Sequence, residues 1–110
     1  MSTAIWKQND LEPPAQAPLL NADGSPIDLT TATSVKFLMR PTGTSGSPKV
    51  THAVTITDAA NGIVKYAWVS GDTDTVGTFD QEWEITWPTS RPQTVPNHGY
   101  NTVVIEDDLG

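Results

Sequence analysis

The sequence predicts an all-β fold, a two-sheet sandwich of seven to eight strands, on three observations. Sixteen Thr, nine Val and six Ile make 31 of the 110 residues β-branched. Such side chains lose little further freedom on a pleated surface and pack well there. Nine Pro and eight Gly are scattered along the chain, which leaves few places for a helix longer than two or three turns. Alternating apolar and polar runs recur between turn-forming clusters about 8–12 residues apart, the spacing of a sandwich or small barrel. A sandwich is favoured because the apolar faces belong to strands distributed along the whole chain.

The elements follow in order. Residues 1–14 read as an N-terminal arm or first edge strand, extended over Thr3 to Gln8 and turned by Asn9-Asp10-Leu11-Glu12-Pro13-Pro14. Residues 15–110 read as a single sandwich domain. Its first strand, Ala15 to Leu20, is confined to an edge or a bulge by Pro18. Asn21-Ala22-Asp23-Gly24-Ser25-Pro26 is turn chemistry, and Thr30-Thr31-Ala32-Thr33 is a crossing between sheets. Ser34 to Arg40 alternates, with Val35, Phe37 and Met39 inward and Lys36, Leu38 and Arg40 outward. Thr42 to Pro48 is a polar loop. Lys49 to Thr57 places Val50, His52, Val54 and Ile56 on one face. Asn61-Gly62 predicts a tight hairpin with two residues at positive φ, returning through Ile63 to Val69 with Val64, Tyr66 and Trp68 inward. Residues 70–77 are the one place for a helical turn, capped by Ser70 or Asp72. Thr78 to Trp87 is the most regular strand, with Phe79, Gln81, Trp83, Ile85 and Trp87 alternating against Asp80, Glu82, Glu84 and Thr86. After a polar turn over 89–93 and a short return at 94–96, Tyr100 to Glu106 is the last strand.

Charge and composition narrow the function. Six basic against thirteen acidic residues leave a net charge of -7, which disfavours nucleic acid and anionic membranes as partners. No apolar run approaches the ~20 residues that cross a bilayer as a helix, and Met1 to Lys7 lacks the layout of a secretory signal. With no cysteine, thiol chemistry and disulfides are excluded. A chain of this length buries roughly 65% of its unfolded surface and needs no metal staple.

The sequence offers no catalytic residues, no cofactor site and no metal site. Asp80, Glu82 and Glu84 stand ~7 Å apart along one strand face, in a row rather than converging across a cleft as glycosidase carboxylates do. They read as a solvated face that blunts edge pairing. Asp72-Thr73-Asp74 begins like a calcium loop but lacks the closing Glu. His52 and His98 are unconnected and carry no zinc-site spacing. No serine has the GxSxG context, and no phosphate-binding glycine motif occurs. Tyr66, Trp68, Trp83 and Trp87 fall on apolar faces, as core. Trp6 and Leu38 fit that core less well and read as contact points.

Five stretches together resemble a known pattern. They are Asp23-Gly24-Ser25-Pro26-Ile27-Asp28-Leu29-Thr30-Thr31-Ala32-Thr33 continuing to Val35-Lys36-Phe37-Leu38-Met39-Arg40; Ile56-Thr57-Asp58-Ala59-Ala60-Asn61-Gly62-Ile63-Val64-Lys65-Tyr66; Asp74-Thr75-Val76-Gly77-Thr78-Phe79; Glu82-Trp83-Glu84-Ile85; and Pro96-Asn97-His98-Gly99-Tyr100. In this order, over about residues 5–108, the chain resembles the N-terminal domain of the phage baseplate upper protein family. That resemblance implies an immunoglobulin-like antiparallel β-sandwich in a tailed-phage virion, made in the host cytoplasm. It implies a non-enzymatic docking or decoration module in the tail or baseplate, the head–tail neck or the capsid surface. Its partners are then other virion proteins and copies of itself in a symmetric assembly, with no small-molecule substrate. The family's helical linker and distal receptor-carrying part have no counterpart in these residues. The candidate partner interface is Trp6, Leu38, Arg40, Gly43 and Ser45. The alternative is an adhesion or carbohydrate-binding module using the end loops.

Overall fold

The computed structural model describes residues 3–109. Met1, Ser2 and Gly110, at the ends of the expected arm and domain, lie outside the described residues. Nine strands form: β1 (Thr3–Lys7), β2 (Ala15–Pro18), β3 (Ser34–Pro41), β4 (Val50–Ala53), β5 (Thr55–Asp58), β6 (Ile63–Tyr66), β7 (Gly77–Trp87), β8 (Arg91–Val95) and β9 (Asn101–Glu106). The described residues contain no helix. The major sheet runs β1-β9-β7-β3-β4, with β8 also paired to β7; the minor sheet runs β2-β6-β5. The arrangement is all-β and sandwich-like, and in outline immunoglobulin-like.

The long β7 organises the major sheet. One edge pairs with β3 from Ser34↔Thr86 to Pro41↔Phe79. The other is shared, with β9 along Gly77–Gln81 and β8 along Trp83–Trp87. The alternation read from sequence holds on both central strands. Val35, Phe37 and Met39 of β3 and Phe79, Gln81, Trp83 and Ile85 of β7 are buried, and their neighbours are partly or fully exposed. Leu19, Ile27 and Leu29, from the connection between β2 and β3, join this core. Phe37 lies at its centre. Its ring stacks on Tyr66 of the minor sheet at 4.5 Å and meets Trp68 and Trp83 edge-on at 5.3 and 5.2 Å.

Several expectations are corrected. The sandwich is not wholly antiparallel, because β1 pairs with β9 in parallel from Thr3↔Thr102 to Lys7↔Glu106. Pairing between chain ends leaves no turn signature, so alternation alone did not reveal its direction. Strand 49–57 divides at Val54, whose N–H still donates to Val35 while the next residues pass to β6 in the other sheet. Residues 91–95 form a full strand rather than a turn and a short return. Thr89 and Ser90, both at positive φ, make the preceding reversal without glycine.

Asn61-Gly62 does reverse the chain, but not as two positive-φ residues. Only Gly62 has positive φ, +68°. The loop is longer, spanning 59–62, with the Asp58 carboxylate accepting from the Asn61 N–H and side-chain amide. Gly62 is required for a second reason. Its C=O accepts from Leu19 N–H, and a Cβ there would lie 2.5 Å from the Ile27 carbonyl oxygen.

The expected helical turn at 70–77 is instead an irregular turn built on a buried acceptor. Asp72 is 7% exposed. Its Oδ2 accepts from the Tyr66 hydroxyl at 2.5 Å and the Val69 N–H at 2.9 Å, so it bridges β6 and the turn rather than capping a helix. Burial, then the bond to Asp72 and its charge, push the Tyr66 phenol well above its usual range. Next to it, Thr73 Oγ1 donates to the Asp10 carbonyl and Thr73 C=O accepts from Asn9 N–H, which ties the turn to the end of β1.

Two stability outcomes follow. Gly62→Ala forces a Cβ into backbone oxygens at a positive φ, and chemical denaturation is expected to show a loss of about 2 kcal/mol or more. Tyr66→Phe strands the Asp72 carboxylate with one donor fewer, and the same measurement is expected to show a loss of about 1–3 kcal/mol.

Candidate functional site

The outward face of the major sheet presents complementary residues in register. Across β3 and β7, Lys36 faces Glu84, Leu38 faces Glu82 and Arg40 faces Asp80. The pleat that sends Phe37 and Met39 inward requires this outward row. The charged pairs do not close into ion pairs: among the described residues, salt bridges form at Lys7–Glu106 and Lys49–Asp74.

At the lower end of this row lies a shallow cleft of about 60 Å³, lined by Leu38, Met39, Arg40, Pro48, Asp80, Glu82 and Tyr100. Arg40 lies over Tyr100, with its guanidinium carbon 5.8 Å from the ring centroid and Nη2 donating to the Tyr100 hydroxyl at 3.3 Å. Guanidinium over an aromatic face is a favourable contact that holds both side chains in place. Asp80 accepts from Thr42 Oγ1 at 3.1 Å, which links the cleft lining to the start of the 42–48 loop. That loop is anchored further by Thr42 N–H to Thr78 C=O and by Thr44 to Pro41 C=O. Burial raises the Glu82 carboxyl above its ordinary value, Arg40 opposes the rise, and Glu84 and Asp80 add to it.

The five expected interface residues divide. Leu38 and Arg40 line the cleft, half-buried on the outer face. Gly43 and Ser45 are exposed on the adjoining loop but do not line it. Trp6 is not an outlier, which corrects the expectation. It is a core residue, 9% exposed, packed edge-on against Trp68 at 5.0 Å, with its indole N–H donating to Pro13 C=O at 2.7 Å. Trp6 points inward because Ala4 and Trp6 share the face of Val103 and Ile105 across the parallel pairing.

Pro48, Asp80, Glu82 and Tyr100 belong to the cleft and were not singled out as contacts. The signal for two of them was present: the Asp80 and Glu82 face opposes Leu38 and Arg40 if the two strands are neighbours. Tyr100 and Pro48 arrive from distant connections, which no spacing reveals.

The cleft offers a guanidinium, two carboxylates, a phenol and the apolar surfaces of Leu38 and Pro48. It holds no histidine, and the hydroxyl of Tyr100 faces Arg40. Elsewhere, His52 is exposed on β4 and lies parallel to the Tyr66 ring at 6.0 Å, whereas His98 is on the β8–β9 connection. Among the described residues no three His, Asp or Glu side chains gather to hold a metal ion. A larger groove of about 370 Å³ lies between β2 and the β8–β9 connection, lined by Leu19, Leu20, Trp83, Pro96 and neighbouring residues, with no charged side chain.

No family model matches this chain. No curated protein matches it either.

The direction of the Glu82 shift has a consequence. The folded state favours protonated Glu82 more than the unfolded chain does, so stability is lost as pH rises from the unfolded carboxyl value near 4.5 through the higher folded one. Glu82→Gln is therefore expected to raise the melting temperature at neutral pH by roughly 1–3 °C, from a few tenths of a kcal/mol at a partly solvated site. The gain should vanish below the carboxylate range, as scanning calorimetry across pH will show.

Proposed function

We propose that the chain is a non-enzymatic structural module of a tailed-phage virion, docked through the outer face of its major sheet. The observation that carries the reading is the cleft beside the 42–48 loop. Leu38 and Pro48 offer apolar contact there, and Arg40, Asp80, Glu82 and Tyr100 surround it with polar groups. An apolar centre with a polar rim is the composition of protein–protein contacts. The scaffold beneath is firm, since β3 and β7 are paired over eight residues, and the exposed 42–48 loop adjoins it. The resemblance to the baseplate upper protein family gives this docking its setting, in the tail or baseplate, at the head–tail neck or on the capsid. Partners are other virion proteins and further copies of the chain.

Trp6 has no part in the proposed contact, because it fills the core. Leu38→Asp places a carboxylate opposite Glu82 on the outer face. The isolated variant is expected to keep its circular dichroism and cooperative melting while its incorporation into particles falls at least tenfold, measured by quantitative mass spectrometry of purified particles. Wild-type incorporation of a folded Leu38→Asp chain would remove this face from the assembly.

A further inference from the structure

The groove of about 370 Å³ between β2 and the β8–β9 connection does not end at its outer walls. It adjoins a recess of about 70 Å³ bordered by β1, β2, β7 and β9, and Ala17, Trp83 and Asn101 line both. Small side chains leave the recess open, since Ala4, Ala15 and Ala17 all border it. The volume of the groove falls within the roughly 300–1,000 Å³ of small-molecule sites. Groove and recess share no residue with the cleft at Leu38 and Arg40.

The lining is chemically selective. Five of the chain's nine carboxamides border it: Asn21, Asn97 and Asn101 at the groove, with Gln16 and Gln81 at the recess. Among the described residues, none of the six basic and thirteen acidic side chains borders it, and neither histidine does. A carboxamide both donates and accepts, as a hydroxyl does. The apolar wall is formed by the exposed Pro18 and Leu20 and the half-buried Val95 and Pro96. At the recess, Gln81 Oε1 accepts from Asn101 Nδ2 at 3.0 Å, whereas the buried Gln81 Nε2 has no partner among the described residues. A donor so placed costs stability until an acceptor is supplied.

We propose that this groove binds a neutral saccharide, one sugar ring lying between Leu20 and Pro96 with its hydroxyls toward Asn97 and Asn101. Three alternatives fit the lining less well. A charged ligand would lose its water there without a counter-charge to replace it. A purely apolar ligand would leave the bordering carboxamides without partners. An extended peptide would need the free edge of β2, and Pro18 removes a main-chain donor from the middle of that edge. Neighbouring sugar hydroxyls match the carboxamides as joint donors and acceptors, and the C–H faces of the ring match the apolar wall. A hydroxyl entering the recess supplies the acceptor that Gln81 lacks. Because the site and the docking cleft are separate, either assignment can fail without the other.

Titration of the isotopically labelled chain with the methyl glycosides of glucose, galactose, mannose and N-acetylglucosamine, followed by NMR, tests it. At least one glycoside is expected to shift the side-chain amide signals of Asn97, Asn101 and Gln81 saturably at millimolar concentration, and glucuronate is expected to bind more weakly than glucose. Asn97 is exposed, so Asn97→Ala should leave the remaining spectrum unchanged and weaken binding about fivefold, the loss of one hydrogen bond. Leu20→Ala, on the exposed part of the opposite wall, should also weaken it and carries the test if the first variant does not fold. The proposal is overturned if none of these glycosides shifts the three signals, if hexanol shifts them and the glycosides do not, or if both folded variants bind as wild type does.

Discussion

The two sheets are joined at Phe37. It is 1% exposed on β3 of the major sheet, stacked on Tyr66 of the minor sheet and flanked edge-on by Trp68 and Trp83. Trp6 extends the cluster through Trp68. Aromatic side chains bury large areas and add a geometric preference of about 0.5–1.5 kcal/mol per pair. A chain without disulfides has to obtain its cohesion from such packing. The rest of the molecule follows from this joint. With Phe37 inward, the pleat sends Leu38 and Arg40 outward; with Trp83 inward, it sends Glu82 and Glu84 outward. The inner packing and the outer docking row are two sides of one alternation.

Polar groups set the ends of the molecule in place. Asp72 holds Tyr66 and the turn after Trp68, while Thr73 takes hold of the segment following β1. The first strand is thereby fixed beside the last, although nearly the whole chain separates them. Two buried donors in the core are exceptions, the Trp68 indole N–H, which has no partner among the described residues, and the Gln81 amide. Gln81 Oε1 accepts from Asn101, but its Nε2 has no partner among the described residues, so a buried donor lies where β7 passes from β9 to β8. Such a group costs stability, and its position coincides with the one point along β7 where the neighbouring strand changes.

Much of this was readable in the sequence because it is local. Alternation in 34–40 and 78–87 identified the buried faces residue by residue, including Gln81, and proline and glycine marked most reversals. What escaped depends on distant partners. The Pro88-Thr89-Ser90 reversal carries no glycine, so its positive-φ residues were hidden. The parallel partner of β1 is set by contacts with residues about a hundred positions away, and without it Trp6 looked like a surface anchor. The cleft was half legible. Leu38 and Arg40 were visible as an outward pair, but Tyr100 and Pro48 join them only when the last connection and the loop before β4 fold against β3.

The Phe37–Tyr66 stack couples the sheets beyond the area each ring buries. A double-mutant cycle of Phe37→Leu and Tyr66→Leu, followed by chemical denaturation, measures that coupling directly. An interaction energy of about 0.5–1.5 kcal/mol between the two sites is expected. Additive losses would contradict it, since the sheets would then be held by burial alone and no particular contact would join them.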